Sequence, residues 1–134
     1  MTSEHAGKEC IFCSFVNTLP RENMVHDSEL FIAVKDKFPV NKGHTLIIPR
    51  RHVEAFFDLT REEFSVLKPM MDAVKVELDE ENRPDGYNIG INVGQHAGQT
   101  VFHVHIHVIP RYKGDVEHAA GGIRKFKQPL VEYE

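Results

Sequence analysis

The feature that most constrains this chain is a run near its C-terminal end, HVHIHVIPR over residues 103–111. Three histidines alternate with branched apolar residues, which is the period of a half-buried β-strand. On such a strand Val101, His103, His105, His107 and Ile109 share one face, while Phe102, Val104, Ile106 and Val108 share the other. Successive histidines then stand about 6.6 Å apart, twice the rise per residue. The apolar face packs on a core, and the imidazoles form a row facing outward. A solvent-facing polar row is the plain alternative. Histidine tags, however, are neither interleaved with apolar residues nor internal, so the pattern points to a site.

With 134 residues the chain can build one core without disulfide staples, and a single domain is expected. A net charge of -4 argues against a general nucleic-acid or membrane-surface binder, yet leaves room for a local anion site. The apolar runs are too short for a transmembrane helix, and the first residues lack the apolar segment of a secretory signal. A cytoplasmic protein is the expectation. The two cysteines, Cys10 and Cys13, make one C-x-x-C, which in a reducing compartment reads as a metal half-site or a redox pair. A thioredoxin-like reading wants a strand of a βαβ unit before the motif, and none precedes Cys10. A structural disulfide is disfavoured, because so short a loop gains little. Two free cysteines without a role remain open.

In chain order, residues 1–9 are polar and expected to be disordered. A short helix or turn is expected over residues 10–16. A turn at Asp27-Ser28 then joins two strands, the second over 30–34, and another strand, 44–49, follows a loop closed by Gly43. Thr60 with Glu63 forms a capping box, and behind it Phe64, Leu67, Met71, Val74 and Leu78 share one helical face. Pro69 should kink or split that helix. Tyr87, Ile89, Ile91 and Val93 alternate with polar residues as a fourth strand. A Gly-rich loop, 94–99, joins it to the histidine strand as a hairpin. The expected fold is α+β: a five-stranded antiparallel sheet with one long helix and a short N-terminal helix. Residues 10–112 form the domain, and 113–134 form a tail that wraps the surface or meets a partner.

The histidine run resembles the signature of the histidine triad (HIT) family, as do Gly98-Gln99-Thr100, Asp36, Gly43-His44 and Ile48-Pro49-Arg50-Arg51-His52. The resemblance spans about residues 10–111 and leans toward bacterial members like the diadenosine-polyphosphate hydrolases. It implies a purine-nucleotide substrate cut at the α-phosphorus, a dinucleoside polyphosphate or a nucleoside phosphoramidate, and no organic cofactor. His105 is then the nucleophile, His107 binds a phosphoryl oxygen or the departing group, and His103 frames His105. Asp36 holds the ribose, His44 supports the triad, and Asn92 lies near the bridging oxygen. Backbone amides around Gly98, Gln99 and Thr100 cradle phosphate oxygens, as a glycine-rich nest can. Rival readings are a nucleotidyl transferase of the same superfamily and a nucleotide-binding module with little turnover.

Two more expectations follow. Cys10, Cys13, His52 and His103 suit a closed tetrahedral zinc site, an arrangement similar to that of the uridylyltransferase branch. A homodimer is expected, because an open sheet edge needs cover and the long helix has surplus apolar positions, Val66 and Met70. No nucleic acid or membrane partner is expected.

Overall fold

The computed structural model describes residues 10–127; the expected disordered segment 1–9 and residues 128–134 of the tail lie outside them. Helix α1 spans Ile11–Thr18. Strands β1 (His26–Asp27), β2 (Phe31–Lys35) and β3 (Thr45–Pro49) follow, then the long helix α2 (Arg61–Asn82), and then β4 (Gly86–Gly90) and β5 (Ile106–Arg111). The five strands form one antiparallel sheet in the order β1-β2-β3-β5-β4, the α+β fold expected. The β4–β5 pairing is the expected hairpin.

The pleat divides the sheet into two apolar faces. Phe31, Ala33, Ile47, Ile106 and Val108 point to one side, where Leu67, Met70, Val74 and Leu78 of α2 cover them. Ile32, Val34, Leu46 and Ile48 point to the other, where α1 delivers Cys10 and Phe12. The histidine run therefore backs onto a sheet that is covered on both faces. Cys10 is the N-cap of α1, its sulfur accepting from the Cys13 amide at 3.3 Å. Thr60 caps α2 with both bonds of the capping box in place.

Four details differ from the sequence reading. Helix α2 runs without interruption through Pro69, which sits on its exposed side, where solvent can take the freed Ser65 carbonyl. Met70, expected on a second apolar face, is 2% exposed in the core, whereas Phe64 of the expected stripe is 59% exposed. Strand β4 stops at Gly90, leaving Ile91 and Val93 outside the ladder.

Strand β5 begins only at Ile106, so His103 and His105 precede it. The cause is Pro49, whose register partner is Phe31 and which has no N–H to offer on the β5 side. The β3–β5 ladder ends at Ile47–Ile106. Beyond it, Val104 donates its amide to the Val53 carbonyl at 2.7 Å, and the chain leans onto the segment after β3.

Described tail residues lie against β4: a 3-10 turn, Gly122–Phe126, packs there. Asp115 clasps the start of the tail, accepting from Arg111 Nε (2.8 Å), Asn41 Nδ2 (2.7 Å) and the Tyr112 amide (3.0 Å). Among the described residues no helix is long and apolar enough to cross a membrane.

Candidate active site and metal centre

The site face is the one α1 shares, because His107 pairs in register with Leu46, whose neighbours on that side are Val34 and Ile48. Hydrogen bonds there fix the protonation of four imidazoles, since carbonyl oxygens only accept and backbone amides only donate. His105 Nδ1 lies 3.0 Å from the His103 carbonyl, so that nitrogen carries the proton and Nε2 keeps its lone pair. His103 Nε2 donates to the Pro49 carbonyl at 2.8 Å, which leaves Nδ1 bare. The Val40 amide donates to His44 Nδ1 at 3.0 Å; His44 therefore bears its proton on Nε2 and donates to His107 Nδ1 at 2.9 Å. His107 is left with Nε2–H as its donor. The His105 and His107 rings are 5.0 Å apart, steeply inclined to each other.

Burial keeps these rings neutral. It pushes His103 down from 6.5 to about 4, against the raising effect of the Pro49 carbonyl and with help from His52 and His105. His107 falls to about 4 for the same first reason, with His105 and His44 adding to it and Asp36 opposing. His105 and His44 are also lowered by burial, partly offset for His105 by the His103 carbonyl and by Asp36, and for His44 by Asp36.

A second cluster sits directly behind the triad. One ligand atom each from Cys10, Cys13, His52 and His103 fall within 4.8 Å of one another. His103 Nδ1 is 3.4 Å from Cys10 Sγ and 3.5 Å from Cys13 Sγ, and His52 Nδ1 is 3.1 Å from Cys13 Sγ. In a tetrahedral zinc site with ordinary bond lengths the sulfur–nitrogen edge is roughly 3.5 Å. The donor set and the bare Nδ1 of His103 thus fit such an ion, with the Pro49 carbonyl holding the ring from behind. Without a metal, burial and the Cys10 thiol push the Cys13 thiol up to about 11. His52 Nε2, the nitrogen turned away from the sulfurs, is buried without a partner.

Asp36, His44 and His107 also converge within 4.8 Å, but their protonation differs. The Val40 amide occupies His44 Nδ1 and forces the proton onto Nε2, the atom that would have to ligate. That cluster is a hydrogen-bonded chain rather than a metal cage.

Arg51, next to His52, bonds both oxygens of the buried Glu63 (2.8 and 3.2 Å) and ties this segment to the N-terminus of α2. This pairing holds Glu63 below the ordinary carboxylate range against its burial.

The family of this fold is decided by the sequence it carries. The HIT domain model matches residues 19–114. The chain belongs to the HIT family. Among HIT relatives, the bis(5'-adenosyl)-triphosphatase of Dictyostelium discoideum is 40% identical over 100 residues, 70% of this chain and 67% of that protein. A crystal structure of a HIT family protein from Bacillus anthracis superposes with a TM-score of 0.73 at 38% identity, covering 80% of this chain and 76% of that one. A zinc-bound histidine triad protein from Mycobacterium smegmatis superposes at 0.71 with 36% identity, covering 79% and 77%.

Within this HIT domain the residues singled out from sequence do not all meet. His105, His107, His44 and Asp36 do, although Asp36 also accepts from the Phe38 amide at 2.9 Å and so caps its own turn. The imidazole of His103 is fully buried and turned to the sulfurs; it reaches His105 through its carbonyl alone. The outward row of three imidazoles is therefore a row of two.

Gln99 has a different place from the one expected. Its amide donates to the Gly94 carbonyl, its Oε1 accepts from the Gly94 amide, and its Nε2 bonds the Glu54 and Val101 carbonyls. It braces the loop from inside and has no N–H left for a phosphate. Gly94 and Gly98 take φ of 92° and 96°, which favours glycine on either side of that brace. Asn92 and Thr100 are exposed, and Asn92 flanks Gly98. Asn88 accepts from Arg111.

Three participants escaped the sequence reading. Phe12, inside the C-x-x-C, sets its ring edge-on to His105 at 4.9 Å. Its helical position beside Cys13 was the available signal. Val40 and Pro49 act through backbone atoms, for which side-chain identity gives no signal.

Proposed function

We propose that this protein is a nucleotide hydrolase acting at the α-phosphorus through a nucleotidyl-histidine intermediate on His105. The observation that carries this reading is the His105 Nδ1–H bond to the His103 carbonyl, which leaves a neutral, lone-pair-bearing Nε2 on the site face. In the first step His105 Nε2 attacks the α-phosphorus; a P–N bond forms, and the bond to the leaving group breaks with its electron pair. The resulting imidazolium keeps Nδ1–H on the His103 carbonyl. His107 Nε2–H bonds the phosphoryl oxygen or the departing group, where negative charge grows. Water then attacks phosphorus and gives up a proton to solvent, the P–N pair returns to Nε2, and a nucleoside monophosphate leaves.

Asp36 has lone pairs left to accept from a ribose diol. The Gly98 amide, like that of Gln99, is already given away, to the Gln95 carbonyl at 3.0 Å, so Thr100 supplies the loop amide for phosphate, and Asn92 meets the bridging region. The fit of the relative from Dictyostelium, named a bis(5'-adenosyl)-triphosphatase, supports a purine dinucleoside polyphosphate as substrate. A nucleoside phosphoramidate is the second candidate. A panel of diadenosine polyphosphates against adenosine phosphoramidates, read by release of AMP, tests the reading. The reading fails if neither class releases AMP.

Zinc belongs to this proposal as a structural ion on Cys10, Cys13, His52 and His103. When bound it closes a four-ligand site and supplies no open position for catalysis. We also propose a cytoplasmic homodimer. Strand β4 ends the sheet, and Phe57 (80% exposed) and Phe64 cluster with Phe56 near the start of α2, an apolar surface suited to a second copy. This surface replaces the Met70 face, which is buried inside the protomer.

A further inference from the structure

We infer that Cys10 and Cys13 form a reversible thiol–disulfide site whose state is felt by the proposed nucleophile. The motif is placed as a dithiol should be: Cys10 caps α1, Cys13 lies one turn on, and the Cys13 amide reaches Cys10 Sγ at 3.3 Å. Residues so spaced at a helix start have Cα atoms about 5.5 Å apart, inside the range a disulfide spans. Cys13 is half-buried and meets solvent, whereas Cys10 is 5% exposed and stands ready to resolve an oxidised partner. No other cysteine exists in the chain to compete.

Two contacts carry the state of this pair to His105. Phe12 lies between the cysteines on the same helical turn and packs against both His105 (4.9 Å between centroids) and His103 (6.0 Å). His103, whose Nδ1 faces both sulfurs, holds His105 Nδ1–H through its carbonyl. Drawing the sulfurs together to form a bond changes both the turn that carries Phe12 and the anchor of the His103 ring.

The oxidant required is a peroxide. Cys13 first gives its proton to solvent, a step its burial makes slow; the thiolate then attacks one peroxide oxygen, the O–O bond breaks, hydroxide leaves, and Cys13 becomes a sulfenic acid. The Cys10 thiolate then attacks the Cys13 sulfur, the S–O bond breaks, a second hydroxide leaves, and the S–S bond forms. Two electrons pass from the sulfurs to the peroxide, and two protons from solvent complete two waters. Any divalent ion held by the pair is released. In its starting form alone, this inference rests on the reading of the cluster as a metal site.

The test is a hydrogen peroxide titration of the full-length protein, followed by intact mass, zinc release and AMP formation. The expected result is a loss of 2 Da, one zinc released per chain, and turnover lowered by about ten- to a hundred-fold, all reversed by dithiothreitol. Protein that contains no zinc as purified defeats the metal reading only. A metal-free sample treated with diamide then still has to lose 2 Da. Cys13→Ser, if it folds, should show neither the mass change nor a reversible loss of turnover. Addition of 32 or 48 Da, disulfide-linked dimers, or a 2 Da loss that leaves turnover unchanged overturns the inference.

Discussion

His44 Nε2 stands 2.9 Å from His107 Nδ1, and because the Val40 amide occupies the other His44 nitrogen, the proton between the two rings belongs to His44. One backbone amide thus determines, two rings away, which nitrogen His107 presents to a substrate. His44 is a positioning residue on this account, and its effect should appear in turnover rather than binding.

Replacing His44 with Leu should lower kcat by at least about 100-fold, the scale on which a wrong imidazole tautomer is felt. KM should change by less than about threefold, since no ground-state contact to substrate is lost. His44→Gln, which can still donate toward His107, should recover part of the loss. Steady-state kinetics on both variants decide the point; a rise in KM with kcat intact would assign His44 to binding.

The pH dependence should be displaced toward acid. Burial lowers His105 and holds His107 down at about 4, so His105 stays neutral below the ordinary imidazole value of 6.5 and His107 well below it. The acid limb of kcat/KM should therefore fall below pH 6.5, and a limb at or above that value contradicts the assignment. Stability follows the same sign. From pH 6.5 down toward 4 the unfolded chain binds a proton that folded His107 refuses, so stability is lost across that window.

Metal analysis of purified protein should give close to one zinc per chain, and Cys10→Ser or Cys13→Ser should remove it. Stripping the ion should lower Tm by at least about 5 °C, because the bound ion stabilises only the folded chain. Less than about one-tenth of an equivalent in protein never exposed to chelator excludes the site.

Sedimentation at micromolar concentration should show a dimer. Phe57→Asp combined with Phe64→Asp, both at exposed positions, should shift it toward monomer with little loss of protomer stability. A single species at monomer mass for the unaltered chain rejects the dimer.

Period-two and helical patterning made the sheet, the hairpin and α2 legible, because each element buries one face and its apolar residues record which. The start of β5 was not legible, since it depends on Pro49 having no N–H to offer β5, a partner more than fifty residues away. Met70 and Phe64 exchanged their expected burial because helix rotation is set by the sheet beneath. His105, His107 and the Cys/His cluster could be anticipated from side-chain chemistry. The bonds of Val40 and Pro49 could not, because backbone atoms make them and any residue supplies those, and the Gln99 side chain binds backbone partners, Gly94, Glu54 and Val101, that side-chain identity does not reveal.

The most direct test is to trap the intermediate. A substrate labelled at the α-phosphorus, quenched during turnover, should leave label on the protein that survives alkali and is lost in acid, as a phosphorus–nitrogen bond to histidine requires. Peptide mapping should place it on His105, and His105→Ala should abolish both label and turnover while substrate still binds. Label on another residue, or His105→Ala turning over at close to the unaltered rate, would contradict the account.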